Sequence, residues 1–417
     1  MLDIKKIREE TKAVEFSLRK RLGSEIDLGL DKIISLDDER KKIISNLENL
    51  KSEKNKLSKV KPDDETIKKI KKNNIEIKKI ENDLNVIENE LKDRLLSLPN
   101  IVADDVVAGN KENNKVSYTF GKKPEFDFEF KNHVDLAENL DIIDYKRAVK
   151  MSGAGFWAYK GAGAVLEWGL LNYFINFHIK NGYTFLIPPF LLNEASAYAS
   201  GHLPKFREDL FWTEDKLCLN PTAEMMLGNY HRDEILKEED LPLKYMAYSP
   251  CFRREAGSYR QEERGMIRGH QFNKIELFQY VLPENSWLAF EELKNHITKL
   301  LEGLNLHFQI SDLAAGDCSS AMAKTIDLEV WIPSMGIYKE VSSVSNALDY
   351  QSRRGNIRIK GSDGKNYFPH TLNGSGLATS RLIPAILEQN QQADGSIIIP
   401  EILKPFLPDN LKIIKKK

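Results

Sequence analysis

Cysteine is scarce in this chain of 417 residues: Cys218, Cys251 and Cys318 are an odd number and form no CxxC pair. That pattern argues against a disulfide framework and against a cysteine-based zinc site, so we expect no zinc. Long apolar runs are also missing. No segment approaches the roughly 18–20 residues of a membrane span, and the first residues lead into a charged helical pattern instead of a signal sequence. We expect a cytoplasmic protein with buried, reduced thiols and no membrane partner.

The chain also lacks a net charge of either sign. Sixty-one Lys and Arg stand against 62 Asp and Glu, so any nucleic-acid surface has to arise from local clustering. Apolar residues make up 41% of the chain and charged residues 29%, which excludes wholesale disorder and a collagen-like protein. The length is that of about two or three domains.

Tryptophan and proline are nearly absent from the first 98 residues, where Pro62 is the one proline, whereas all five tryptophans follow Leu98. This break in composition predicts a helical N-terminal domain, residues 1–104, followed by a mixed body of helices and strands, residues 105–417.

Within the N-terminal domain, apolar residues recur at steps of three and four over residues 43–57 and again over 77–98. This is the spacing of a coiled-coil seam. Pro62 ends one helix, and the acids at 63–65 suit the start of the next. The pattern predicts an antiparallel helical hairpin over about 30–98, with arms of roughly 30 residues and about 45 Å.

Positive charge gathers where the two arms meet. Between residues 51 and 79 there are eleven basic and five acidic residues. A solvated, lysine-rich surface would explain this charge equally well. Its concentration at one end of a narrow arm also suits a phosphate backbone, and the scarcity of aromatic residues favours a duplex over stacked bases. The candidate contacts are Lys54, Lys61, Lys68, Lys69, Lys71 and Lys72.

The body contains runs that alternate in the manner of strands, most clearly 325–332, and two further candidates at 248–255 and 272–278. Hairpin-type connections without regular strand-helix-strand alternation predict an α+β fold with an antiparallel sheet flanked by helices. No Walker A run and no GxGxxG after a strand is present, which weakens a P-loop or dinucleotide-binding interpretation.

The two candidate strands would bring charged and aromatic groups together. Arg253 and Glu255 are two residues apart, and Phe272, Lys274 and Glu276 would share a face of the paired strand. An arginine binds phosphate or carboxylate, an aromatic ring stacks on a base, and a carboxylate accepts from an amine. The loop between the strands is charged and glycine-rich, as expected of a mobile lid. Ordinary cross-strand ion pairs remain the alternative.

A second cluster lies in residues 339–346, where the acid Glu340 is followed three residues later by the hydroxyl of Ser343. Such oxygens fit a Mg²⁺ ion that keeps water and phosphate as its other ligands. The spacing alone is weak evidence for a metal site, and the end of an ordinary strand fits it as well.

A third cluster covers residues 370–381. We predict that a strand enters a glycine-rich turn at 374–376 and that a helix then begins, with Arg381 on its early turns. Such a turn lets a flat ligand approach closely, and an arginine there can stack on a base or face phosphates. By itself this is also a common structural turn.

Taken together and in this order, these segments resemble the seryl-tRNA synthetase family of class II aminoacyl-tRNA synthetases, along essentially the whole chain. Residues 182–189 are similar to the first class II motif, at the dimer interface. Residues 252–255 through 272–276 are similar to the second motif, and 374–381 to the third. Thr222-Ala223-Glu224 is similar to the serine-specific Thr-x-Glu element.

The resemblance implies a class II antiparallel sheet, preceded by a hairpin that grips the long variable arm of tRNA. It implies a homodimer that uses ATP with Mg²⁺ to convert L-serine to seryl-adenylate and pyrophosphate, then transfers serine to the 3′ end of tRNA(Ser). It also allows tRNA(Sec) as a substrate.

The resemblance assigns roles residue by residue. Arg253, for the α-phosphate and the substrate carboxylate, and Arg381, for the far phosphates, are the catalytic residues. Glu340 and Ser343 are the Mg²⁺ ligands. The ATP-binding set is Arg253, Arg254, Glu255, Phe272, Glu340, Val341, Ser342, Ser343 and Arg381. The serine-binding set is Thr222, Ala223, Glu224, Arg253, Glu276, Asn373 and Ser375.

The chain departs from the family pattern at three places. Arg260 stands where a glycine is common in the lid, and Val344 and Ala347 replace common cysteines. These changes bear on lid motion and core packing.

Two other functions compete: a carrier-protein ligase built on the same catalytic body, and a coiled-coil interaction protein. The N-terminal hairpin argues against the first, and the joint presence of Arg253 and Arg381 with the acids around them argues against the second.

Overall fold

The computed structural model describes residues 1–59, 63–255 and 265–416. The chain divides into two compact units, Met1–Ile101 and Val102–Lys417. Within the described ranges, no helix is both long and apolar enough to cross a membrane. The three cysteines are buried, as predicted.

The first unit is helical. Its elements are α1 (Ile4–Glu9), α2 (Thr11–Leu22), α3 (Leu30–Leu57) and α4 (Asp64–Ser97). Ion pairs join Lys32 to Glu90 at one end of the two long helices and Lys51 to Glu81 farther along. Because the residue numbers of the partners run in opposite directions, the pair is antiparallel. The predicted helical hairpin is confirmed.

The apolar seam explains why α3 and α4 pair. Leu47, Ile77, Ile87 and Leu91 are all buried, and each buried side chain of this size contributes about 1.5–3 kcal/mol. The start of α4 is fixed by Asp63, whose carboxylate accepts a hydrogen bond of 2.7 Å from the backbone N–H of Thr66. The predicted helix end at Pro62 lies outside the described residues.

The strands of the second unit are β1 (Lys115–Phe120), β2 (Ile143–Asp144), β3 (Ala158–Tyr159), β4 (Thr184–Leu186), β5 (Leu191–Asn193), β6 (Leu217–Leu219), β7 (Ile235–Lys237), β8 (Leu243–Phe252), β9 (Gln271–Val281), β10 (Phe308–Asp312), β11 (Lys324–Ile332), β12 (Ile337–Leu348), β13 (Arg358–Lys360), β14 (Asn366–Tyr367), β15 (His370–Ala378), β16 (Ile397–Ile398) and β17 (Ile413–Ile414). Eight of them form one sheet with the strand order β1-β10-β11-β12-β15-β9-β8-β4. Neighbouring strands of this sheet are antiparallel except β4 and β8, so the predicted α+β fold with an antiparallel sheet is confirmed.

Helices flank this sheet. They are α5 (His133–Asn139), α6 (Tyr145–Ser152), α7 (Ala162–Lys180), α8 (Glu194–Ala199), α9 (Ala223–Leu227), α10 (Ser286–Glu302), α11 (Tyr350–Arg354) and α12 (Thr379–Gln389). Short 3₁₀ helices lie at Lys111–Asn113, Arg207–Asp209, Glu238–Asp240, Pro283–Asn285, Pro333–Met335, Glu401–Phe406 and Pro408–Asn410. Phe174 of α7 and Phe290 of α10 are fully buried in the main core beside the sheet.

Alternate side chains of β9 point to opposite faces of the sheet, one towards the core and the other towards the candidate site. Ile275 and Leu277 point into the main core. Phe272, Lys274 and Glu276 therefore lie on the opposite face, as predicted for this strand. Opposite them, Cys251 pairs with Phe272 and Ser249 with Lys274 in the antiparallel ladder of β8 and β9.

The predicted strand 248–255 is wrong at its end. β8 stops at Phe252, and Glu255 has a φ of 50°, in the left-handed region that a strand does not use. Arg253 and Glu255 therefore do not share a strand face, although both still reach the site described below.

The predicted glycine-rich turn at 374–376 is also wrong, because β15 continues through it, with a shift of its register against β9 between Ser375 and Ala378. Close packing of helices against the strand explains the glycines. A Cβ on Gly374 would lie 2.7 Å from Cδ1 of Ile297 in α10, and one on Gly376 would collide with the ring of His178 in α7. The prediction that a helix follows is confirmed, since α12 begins at Thr379 and places Arg381 in its first turn.

Candidate active site

A cavity of about 460 Å³ opens on the sheet face that β9 presents away from the core. Its walls come from β9, β12 and β15, from the first turn of α12, and from the segments 202–224, 253–255 and 267–269. The predicted site residues that line it are Thr222, Glu224, Arg253, Glu255, Phe272, Glu276, Glu340, Val341, Ser343, Asn373, Ser375 and Arg381. Side chains from segments more than 150 residues apart in sequence thus meet in one place.

Three predicted residues do not line the cavity. Arg254 is exposed and lies over the ring of Phe211, 5.9 Å from its centre. Ala223 is buried in an apolar cluster beside the sheet. Ser342 is buried and donates a 2.6 Å hydrogen bond to the carbonyl oxygen of Ser375, so its side chain ties β12 to β15.

Two arginines line the cavity, Arg381 next to Glu340 at one end and Arg253 within reach of Glu224. Nε of Arg253 donates to the carbonyl oxygen of Pro221 at 3.3 Å, and its guanidinium lies 5.2 Å from the centre of the Phe272 ring. Arg381 donates to the carbonyl oxygens of Ile267, at 3.1 Å, and Glu340, at 2.9 Å. Neutral carbonyls help to orient both guanidinium groups, and Nη1 of Arg381 also forms an ion pair with the Glu340 carboxylate at 3.4 Å. Both groups line the cavity and remain suited to an anionic ligand.

A bulge explains how Glu340 and Ser343 reach the same cavity. In a regular strand, residues three apart point to opposite faces. Here Leu328 of β11 pairs with Ser342, but Glu329 pairs with Glu340, so Val341 is an extra residue in β12. The inserted residue resets the alternation and brings both side chains to the cavity.

The donors at this point fit a hard divalent cation. A carboxylate and a hydroxyl supply two oxygen ligands, and Mg²⁺ characteristically takes its remaining ligands from water and phosphate. Among the residues that the structure describes, no three His, Cys, Asp or Glu side chains are gathered as a complete protein cage.

Buried polar groups form the other end of the cavity. The hydroxyl of Thr222 donates to Glu276 at 3.1 Å and accepts from Nζ of Lys274 at 2.8 Å. Lys274 also forms an ion pair with Glu276 and lies 3.3 Å from the hydroxyl of Ser375. This compact network offers charge and directed hydrogen bonds to a small polar ligand.

Glu224 is the second carboxylate at this end. Its Oε1 accepts hydrogen bonds from the side-chain amides of Gln351, at 2.7 Å, and Asn373, at 3.3 Å. Burial, followed by repulsion from Glu276, raises the pKa of Glu224 to about 7. The group therefore changes charge within the physiological range.

This pKa gives a testable pH dependence. The sequence resemblance implies an amino acid as substrate. If Glu224 must be ionised to bind its ammonium group, kcat/KM for that amino acid should rise with pH through a limb near pH 7, because the carboxyl is protonated below it. Glu224→Gln should lower kcat/KM and remove the limb. Initial rates of amino-acid activation across the range measure this, and a flat wild-type profile between about pH 6 and pH 8 would refute it.

Sequence analysis missed several groups in the cavity. His202 lines it, and burial together with Arg253 and Lys274 lowers the pKa of His202 to about 4, so the ring is neutral. Ser319 and Arg268 also line it, and Arg268 forms an ion pair with Glu255. No motif or spacing pointed to His202 or Ser319, and Arg268 was recognised only as part of the charged loop. Lys274 was recognised as sharing a face with its neighbours but received no role. Residues 256–264 of the predicted lid, which include Arg260, lie outside the described residues.

The predicted polynucleotide contacts belong to the first unit. The four predicted lysines near the start of α4 are exposed, and Lys54 near the end of α3 is half-buried. Lys69 pairs with Glu65 at 3.1 Å. Lys61 lies outside the described residues. The exposed set is Lys68, Lys69, Lys71 and Lys72.

Most of the residues that line the cavity lie within residues 208–390. This range matches the family model of the class II tRNA synthetase core domain (G, H, P, S and T). The fold and the site thus define a class II aminoacyl-tRNA synthetase. Residues 1–102 match the model of the seryl-tRNA synthetase N-terminal domain. The chain belongs to the seryl-tRNA synthetase family.

Individual relatives agree along the whole chain. It is 52% identical to serine-tRNA ligase 2 of Clostridium acetobutylicum, over 98% of this chain and 99% of the relative. It is 45% identical to serine-tRNA ligase of Trichlorobacter lovleyi, over 100% of both chains. A crystal structure of seryl-tRNA synthetase from Pyrococcus horikoshii complexed with ATP superposes with a TM-score of 0.92, at 34% identity and 100% coverage of both chains.

Proposed function

We propose that this chain is a serine-tRNA ligase that converts L-serine and ATP to seryl-adenylate and pyrophosphate, then transfers serine to the 3′ end of tRNA(Ser). The observation that carries the proposal is a single cavity lined both by the arginines Arg253 and Arg381 and by the carboxylates Glu224 and Glu276. The arginines suit phosphates and the carboxylates suit an ammonium group, which is the pairing that amino-acid activation needs.

In the activation step, the serine carboxylate attacks the α-phosphorus of ATP and pyrophosphate leaves. A carboxylate is already nucleophilic at neutral pH, so the step needs alignment and charge stabilisation more than proton transfer. Arg253 holds the α-phosphate and the attacking carboxylate, and Arg381 holds the far phosphates. Adenine lies between Arg381 and the ring of Phe272.

Glu340 and Ser343 would hold Mg²⁺ in this step. The ion supplies positive charge that offsets the charge of the phosphates. The support for this assignment is the bulge in β12, which directs both oxygens to the end of the cavity where Arg381 lies.

Serine is selected by the buried polar end. Glu224 and Glu276 receive its ammonium group, and Thr222, Asn373 and Ser375 complete the surroundings of its hydroxyl. Alanine would leave these groups unpaired, which corresponds to discrimination of ~10⁴ or more. Threonine carries the same hydroxyl and has to be rejected by the volume of the pocket.

We assign tRNA binding to the hairpin and place the enzyme in the cytoplasm, where tRNA is used in translation. The exposed lysines of α4 provide phosphate contacts that need no stacked bases.

We also propose a homodimer formed through the segment 182–189 and its neighbours. β4 lies at an edge of the sheet. Around it Ile187 is 72% exposed and Trp168 is 55% exposed, with Ile179 and Leu191 also exposed. An edge strand with a large apolar surround is typical of an interface between chains. Light scattering should give twice the 47.8 kDa chain mass, and a monomer at micromolar concentration would contradict this.

Pyrophosphate exchange with each of the twenty amino acids, with and without tRNA, tests the activity. Serine alone should support rapid exchange, and tRNA should not be required, because the cavity holds both substrates of the first step. Exchange dependent on another amino acid would overturn the proposal.

A further inference from the structure

The short helix α11 lies behind the serine end of the cavity and supplies a glutamine that does not line it. Gln351 is 3% exposed. Its Nε2 donates to Oε1 of Glu224 at 2.7 Å and to the carbonyl oxygen of Ser200 at 3.1 Å, and its Oε1 accepts from the hydroxyl of Thr371 at 2.8 Å. A backbone carbonyl can only accept, so the amide nitrogen has to face Ser200 and Glu224.

The same helix also holds the turn that carries His202. Nη1 of Arg354 donates to the carbonyl oxygens of Tyr198, at 3.0 Å, and Leu203, at 3.1 Å. Gln351 donates to Ser200 between them. Two side chains of α11 thus fix the backbone of residues 198–203, and His202 of that turn lines the cavity.

The two carboxylates in the cavity differ in their partners. Glu276 has the ammonium group of Lys274 as an ion-pair partner. The side chains that donate to Glu224 are the neutral amides of Gln351 and Asn373, and the bond from Gln351 is the shorter one. A hydrogen bond to a charged group stabilises more than a hydrogen bond to a neutral group. Removal of the Gln351 amide should therefore affect Glu224 more than the neutral carbonyl of Ser200.

We propose that Gln351 is a positioning residue for serine recognition: its amide aims the Glu224 carboxylate into the cavity and joins it to the turn at 198–203. The inference rests on the proposed function, because it takes the ligand of Glu224 to be the serine ammonium group. Gln351 itself touches neither serine nor ATP. Its effect on the reaction passes through Glu224.

Gln351→Glu tests this, since it keeps the shape of the side chain and replaces the donating amide by an acceptor. In pyrophosphate exchange, KM for serine should rise by roughly 10- to 100-fold, as expected for loss of a hydrogen bond to a charged group. KM for ATP should stay within about twofold of wild type, because the phosphate end is untouched. A fold-wide defect would instead affect both substrates.

The pH profile supplies a second readout. Glu276, Lys274 and Arg253 face Glu224 in the wild type, the first raising its pKa and the other two lowering it. A glutamate at position 351 adds a second negative neighbour. The rising limb of kcat/KM for serine should therefore move to higher pH in the variant.

Gln389→Glu is the matched control. Gln389 also donates to two backbone carbonyls, those of His307 and Trp331, but it lies outside the cavity lining. This control should leave KM for serine unchanged. If Gln351→Glu fails to fold, Thr371→Val removes the hydroxyl that orients the amide and should raise KM for serine several-fold. If the variant that folds has an unchanged KM for serine, the inference is overturned. If the wild-type enzyme shows no serine-dependent exchange, the proposed function is overturned instead.

Discussion

Arg253→Ala is expected to lower serine-dependent ATP–pyrophosphate exchange by ~10²-fold or more, because it removes a fixed positive charge where negative charge develops in the transition state. The geometry supports this expectation. Arg253 is held against the Pro221 carbonyl oxygen and over Phe272, so its guanidinium is oriented before any substrate binds. Preorganised charge of this kind stabilises a transition state at no reorganisation cost. Exchange rates at saturating ATP and serine measure the effect.

Arg147→Ala is a suitable control for this variant. Arg147 is an exposed arginine whose partner is Asp144, outside the cavity. Arg147→Ala should leave exchange unchanged. That result would show that the loss of one positive charge from the protein surface does not by itself lower the rate of exchange. Near wild-type exchange by Arg253→Ala would refute the placement of the reacting phosphate beside this residue.

Removal of the hairpin end should separate the two steps of the reaction. Deletion of about residues 48–83, closed by a short turn, should leave seryl-adenylate formation nearly intact, since the cavity lies wholly in the second unit. Aminoacylation should fall by roughly 10²-fold or more, because the deletion removes the lysines to which we assign the contacts with tRNA phosphates. The base of the hairpin should survive, because Ile87, Leu91 and the Lys32–Glu90 pair remain. Charging assays with tRNA(Ser), alongside exchange, measure both steps.

A charge-only variant provides the matching test. Neutralising Lys68, Lys69, Lys71 and Lys72 together keeps the hairpin but removes four exposed charges from α4. The dependence of tRNA affinity on salt should flatten, by about 0.7–0.9 in the log–log slope for each phosphate that a lysine no longer neutralises. Full charging of tRNA by the deleted protein would refute the role assigned to the hairpin.

Local patterns allowed much of this architecture to be predicted. The heptad spacing of α3 and α4 predicted their pairing, because the seam depends on residues close in sequence. Alternation predicted β9 and β11 for the same reason. The end of β8 escaped prediction, since nothing in the residues 253–255 indicates that the backbone of Glu255 becomes left-handed. The glycines of β15 were mistaken for a turn because their cause, packing against α7 and α10, is a long-range contact.

The candidate site likewise contains residues that the sequence identified and residues that only long-range contacts reveal. Motif resemblance identified half of the 24 residues that line the cavity, including both arginines and the acids at 224, 276 and 340. It did not find His202, which belongs to a turn between α8 and β6, or Gln351, which reaches Glu224 from a helix more than 120 residues away in sequence. Such partners become visible only when the fold brings the segments together. The bulge in β12 likewise depends on its pairing with β11.

The central claim is that serine activated in this cavity is transferred to tRNA, and direct charging of tRNA(Ser) with labelled serine tests it. The full-length protein, ATP and Mg²⁺ should produce serine esterified to the 3′ end of the tRNA, and labelled alanine should give no charging under the same conditions. Formation of seryl-adenylate without transfer to tRNA(Ser) would contradict the account, because it would leave the activation chemistry in place and favour a carrier other than tRNA.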